Sequence, residues 1–106
     1  MDVFFRVQLV KPESMSLAEF FDVWIAETEA VMGARDAGVI KWVYKVAGQY
    51  EVVGVIAVDS AEHLDELIHQ LPVWRDSAGH TVVDMEWLPL TDYAAWSKQM
   101  KAHNAG

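Results

Sequence analysis

The residues best suited to chemistry are one glutamate, a pair of lysines, a tyrosine and a histidine. Glu27 falls at the border of an apolar helical stripe, beside Phe20, Val23 and Val31. Partial loss of water at such a border raises a carboxyl pKa toward values useful in acid–base work; the plainer reading is a solvated glutamate on an acidic helix. Lys41 and Lys45 stand either side of Val43 at period two, which places them on one face of a strand. There they either anchor an anionic group or supply ordinary charge at a sheet end. Trp42 and Tyr44 share the other face, where Tyr44 either donates to a carbonyl or packs in a core. His80 enters a later strand after a polar stretch, and its ordinary pKa range suits proton exchange; an ordinary loop histidine is the alternative. Asp84 and Glu86 alternate on one strand face, where they are expected to meet Lys41 or Lys45 of the same or a second chain.

Many other chemistries lack their residues. The chain has no cysteine, which removes disulfides, thiolate zinc sites, iron–sulfur clusters and thiol catalysis. His63, His69 and His103 make no metal-binding spacing with one another, so no metal site is expected. Gly33, Gly38, Gly48 and Gly54 are scattered and form neither a phosphate loop nor a dinucleotide fingerprint. Eight Lys and Arg against sixteen Asp and Glu give a net charge of −8, which argues against nucleic acid and anionic membranes as partners. No apolar run approaches the roughly 18 residues of a membrane span, and Met1 to Arg6 lacks the basic start of a signal peptide. A cytoplasmic location is expected.

The 106 residues suit one domain, and the elements that must position these side chains are readable in order. Val3 to Val10 alternates at period two and reads as a strand ended by Lys11-Pro12. Ser16 with Glu19 has capping-box spacing, and a helix is predicted from Leu17 to about Arg35, with Leu17, Phe21, Trp24, Ile25, Thr28, Val31 and Met32 on one stripe. Val39–Ala47 and Tyr50–Val58 read as a hairpin around Gly48. Asp59 or Ser60 caps a second helix from Ala61 to about Leu71, closed by Pro72. A fourth strand runs from Thr81 until Pro89, and a short helix from Thr91 to about Ala102 follows. The order is β-α-β-β-α-β, an α+β ferredoxin-like antiparallel sheet spanning residues 1–90, plus a C-terminal helix and tail over 91–106. Strand 3 is apolar on both faces, as Val52 and Ile56 oppose Val53 and Val55. A sheet with one wet face alternates more cleanly. The second face is therefore expected to meet another copy in a dimeric α+β barrel; a monomer with its C-terminal helix folded over that face is the alternative.

The series Ala47-Gly48-Gln49-Tyr50, Val58-Asp59-Ser60, Leu64-Asp65-Glu66-Leu67, Gln70-Leu71-Pro72-Val73-Trp74 and Asp84-Met85-Glu86-Trp87 resembles the muconolactone delta-isomerase family, as do the glutamates of Ala26-Glu27-Thr28-Glu29. The resemblance implies a cofactor-independent enzyme of aromatic catabolism. Such an enzyme moves a proton across an allylic lactone in a dimeric barrel that assembles further, classically to a decamer. It departs from the family at Trp42 and Gln49, where a histidine is usual, in the extra residues of the stretch RDSAGHTVV, and beyond residue 90. A proton shift of this kind needs a base, a partner for the enolate and a route for proton return. Those roles are expected of Glu27, Lys41, Lys45, Tyr44 and His80, with Trp24, Trp42, Gln49 and Trp74 contacting the small-molecule substrate. The departures leave room for a cyclase, dehalogenase or cofactor-free oxygenase acting on an aromatic or polyketide-like substrate. A non-catalytic ligand-binding or assembly protein is the third reading.

Overall fold

The computed structural model describes residues 1–71 and 81–105. Strand β1 (Asp2–Leu9) is followed by α1 (Leu17–Asp36), β2 (Ile40–Lys45), β3 (Glu51–Ala57), α2 (Ala61–Gln70), β4 (Val82–Leu90) and α3 (Tyr93–Ala105). The sheet has four strands in the order β2-β3-β1-β4, each pair antiparallel. This is the α+β, ferredoxin-like arrangement with a C-terminal helix. Among the described residues no helix is long and apolar enough to cross a membrane.

Local signals account for the starts and turns. Ser16 caps α1 reciprocally: its hydroxyl accepts from the Glu19 N–H at 3.1 Å, and its own N–H donates to Glu19 Oε1 at 2.9 Å. The Ser16 N–H, with its hydroxyl adding to the effect, holds the Glu19 carboxyl below the usual carboxylate range. Ser60 rather than Asp59 caps α2, accepting from the His63 N–H. Gly48 takes φ +79° in the β2–β3 turn, a conformation few L side chains adopt.

Register decides which side chains face the helices. Val3, Phe5 and Val7 of β1 oppose Ile56, Gly54 and Val52 of β3 and Pro89, Trp87 and Met85 of β4. That face carries the core, where Val3, Phe5, Ile40, Ile56 and Val58 cluster. A second cluster joins Leu9 to Phe20 of α1. Gly54 is there because of packing: a Cβ added to it would stand 2.5 Å from Phe5 Cζ and 2.5 Å from the Trp42 carbonyl oxygen.

Four expectations are corrected. Strand β4 continues past Pro89 to Leu90. It is an edge strand, where a missing N–H is tolerated. In β2 the register shifts between Ile40 and Trp42, so Lys41 leaves the alternation and is not paired on one face with Lys45. Its ammonium instead sits 2.8 Å from Asp2. On α1 the buried residues are Phe20 and Glu27, whereas Leu17, Ile25 and Met32 of the apolar stripe are exposed, so the stripe does not form a solid core. Asp84 and Glu86 meet neither lysine within the chain; they meet Arg6, which lies 2.7 Å from Asp84, 2.8 Å from Glu51 and 3.5 Å from Glu86. Asp84 first, then Glu51, holds the Arg6 guanidinium more firmly protonated than usual.

The sheet face away from the helices bears this charged group and also exposed Trp42, Tyr44, Leu88 and Leu90. Helix α3 does not cover it. Tyr93 of α3 is 84% exposed, Trp96 and Met100 are also exposed, and the molecule extends 61 Å along its long axis.

Two outcomes follow for stability. Gly54→Ala must displace Phe5 or the β2 backbone, and a loss of about 1–3 kcal/mol is expected in urea denaturation. Because the folded pKa of Glu19 is depressed, its contribution is present above the ordinary carboxylate range and is lost as pH falls through the folded value. The wild type should therefore have the higher urea midpoint against Glu19→Ala at neutral pH, and the gap should narrow in acid.

Candidate functional site

Between α1, the start of the segment after α2 and the core face of the sheet lies a cavity of about 520 Å³. Its floor is the regular side of the sheet, with Phe5 and Val7 from β1, Val43 from β2 and Met85 and Trp87 from β4. Its wall is α1, whose exposed edge contributes Phe21, Ile25 and Met32. Those apolar side chains are the stripe read from the sequence. They face this space rather than a solid core.

Glu27 lines the cavity and is 8% exposed, the most deeply placed carboxylate among the described residues. Two features hold its helix in position. The capping box fixes the start of α1, and at its end the Val39 N–H donates to the Ala34 carbonyl at 2.9 Å, tying the helix to β2. Thr28, one residue on, also lines the cavity and donates its hydroxyl to the Ile25 carbonyl at 2.7 Å.

Lys45 and Tyr44 contribute to the rim. The Lys45 ammonium donates to the Val46 carbonyl at 3.1 Å in an exposed position. Tyr44 is 69% exposed, and its ring meets Trp42 at 5.9 Å between centroids. Trp24 lies in the wall, edge-on to Tyr50 at 5.3 Å and 89°. Lys41, Trp42 and Gln49 do not line the cavity. Lys41 is taken away by the β2 register shift, Trp42 lies on the opposite sheet face, and Gln49 is exposed in the turn. His80 and Trp74 fall outside the described residues.

Several lining residues were not singled out from the sequence. Phe21 and Tyr50 pack edge-to-face at 6.3 Å, and Phe5 and Trp87 are 5.6 Å apart. The alternation of β1 marks Phe5 as inward, but only the register with β4 brings Trp87 beside it. The buried Trp87 indole N–H has no hydrogen-bond partner among the described residues. A smaller, more open hollow of about 460 Å³ on the α2 side of Trp87 is lined by Leu64, Asp65 and Ile68. Among the described residues no group of three or more His, Asp or Glu is placed to hold a metal ion.

The arrangement is an acid withdrawn from water in an apolar hollow, with a cation at the opening. It can exchange a proton with a bound carbon acid while little water competes.

Comparisons with known proteins agree with this architecture. The family model for muconolactone delta-isomerase matches residues 1–95. A crystal structure of muconolactone isomerase aligns with a TM-score of 0.72 at 22% identity, covering 88% of this chain and 91% of that one. At that identity the likeness speaks for the fold. No curated protein matches the chain.

The placement of Thr28 and Lys41 can be checked with an apolar fluorophore such as anilinonaphthalene sulfonate. Thr28→Trp puts an indole at the cavity mouth and should weaken probe binding about tenfold, equivalent to about 1.4 kcal/mol. Lys41→Ala should leave probe affinity unchanged.

Proposed function

This chain belongs to the muconolactone delta-isomerase family, and from that premise we propose that it is a cofactor-independent isomerase moving a proton within an unsaturated lactone or related enolisable ring compound. The observation that carries the reading is the position of Glu27, a carboxylate 8% exposed in the wall of an apolar cavity. Glu27 takes a proton from the carbon next to the substrate carbonyl. The electron pair of that C–H bond moves into the ring, forming an enolate. The Lys45 ammonium, on the inner face of β2 at the rim, supplies charge and hydrogen bonding to the enolate oxygen; Tyr44, whose ring lies with Trp42 on the outer face, does not take that role. Protonated Glu27 then returns the proton to the far carbon of the allylic system, the carbonyl re-forms, and the carboxylate is regenerated. No atom is gained or lost.

Water exclusion matters to both halves. An apolar wall strengthens the attraction between enolate and ammonium and keeps the abstracted proton close to the carbon that must receive it. Lys41 has no part in this scheme, since it is held by Asp2 outside the cavity.

The same reading includes a homo-oligomer. The outer sheet face exposes Trp42, Tyr44, Leu88 and Leu90, and pairing two such faces in a dimeric barrel removes these side chains from water. Residues 91–106 are then an appendage to the ferredoxin-like unit of residues 1–90, as the exposure of α3 suggests.

Glu27→Gln keeps the shape of the side chain and removes the base. Turnover of α-angelica lactone, an unsaturated lactone whose isomerisation is of this type, should fall at least a hundredfold with the melting temperature little changed. Undiminished turnover in the variant would eliminate Glu27 as the base.

A further inference from the structure

The cavity is larger and less polar than a small lactone acid requires. Its volume of about 520 Å³ lies in the range of roughly 300–1,000 Å³ that encloses drug-sized ligands. A single five-membered ring would leave much of that space to water or void, and an apolar space is a poor host for water. Among the described lining residues only Glu27 and Lys45 carry charge, and Lys45 is at the rim with its ammonium on a backbone carbonyl. Lys41 is engaged by Asp2 outside the cavity.

The walls instead present aromatic surface from two separate clusters. Trp24 and Tyr50 stand edge-to-face near Phe20, and Phe5 and Trp87 pack together over the sheet. Such pairs offer ring faces and edges to an aromatic guest. Met32 and Met85 also line the space, and their unbranched chains adapt to irregular shapes.

We infer that the substrate is an enolisable compound with a bulky apolar body, on the scale of two fused rings, and a single oxygen-bearing edge directed to Glu27 and Lys45. This rests on the proton-transfer reading above and narrows its substrate class. The bicyclic body occupies the aromatic walls. Its acidic C–H lies beside Glu27, and its carbonyl oxygen faces the rim, where Lys45 meets it.

The test uses 2-tetralone, an enolisable bicyclic ketone, beside α-angelica lactone as the small comparison. Dissociation constants are measured by tryptophan fluorescence, and proton abstraction by deuterium exchange into 2-tetralone in heavy water, followed by NMR. Expected are a dissociation constant at least tenfold lower for 2-tetralone, exchange at its acidic carbon that Glu27→Gln removes, and loss of the affinity advantage in Thr28→Trp, whose indole narrows the cavity. Equal or tighter binding of the small lactone would overturn the inference. So would an advantage that survives Thr28→Trp, since the ketone would then sit elsewhere. The proton-transfer reading fails separately: Glu27→Gln would then leave both the exchange and the isomerisation of the small lactone undiminished, whatever the ratio of affinities.

Discussion

A carboxylate removed from water is costly to keep unless the surrounding structure holds it there. Glu27 is such a group, and much of the fold can be understood as the frame around it. It lies on a helix pinned at its start by Ser16 and Glu19 and at its end by the bond from Val39 to Ala34. The sheet opposite approaches closely because Gly54 admits the Phe5 ring beside the β2 backbone. Tight packing at that point fixes the floor, and the helix is held off it by enough to leave a cavity. The hollow and its acid are thus products of one constraint, a helix anchored at both ends above a sheet packed tightly along its middle.

The two faces of the sheet solve different problems. The inner face gives up water to form the core and the cavity. The outer face keeps a guanidinium among three carboxylates at its centre, with large apolar side chains toward the strands at either edge. An isolated exposed ion pair contributes little; the exposed tryptophan, tyrosine and leucines around the cluster are the part of this face that gains from being covered. The assembly proposed for the family reading would cover it.

Much of this was legible in the residues. The capping box, the glycine of the hairpin turn and the period-two strands locate the elements almost to the residue, because each depends on neighbours close in sequence. The interest of Glu27 was visible too, from its place at the edge of an apolar stripe. What failed depended on contacts between distant segments. The β2 register shift that sends Lys41 to Asp2 is set by pairing with β3 and by the N-terminal strand. The exposure of the α1 stripe went unread because Phe21, Ile25 and Met32 look like a core face whether they meet solid packing or an open space. The pairing of Arg6 with Asp84 joins residues 78 apart in the chain, a proximity that strand alternation cannot supply.

The central claim is that one buried carboxylate carries the proton from carbon to carbon with little exchange to water. The direct measurement follows α-angelica lactone, labelled with deuterium at the carbon next to its carbonyl, during turnover in ordinary water. If Glu27 is enclosed as described, a substantial fraction of the label reappears at the far carbon of the product. Complete loss of the label to solvent during every turnover would contradict a sheltered base and the cavity's part in the reaction.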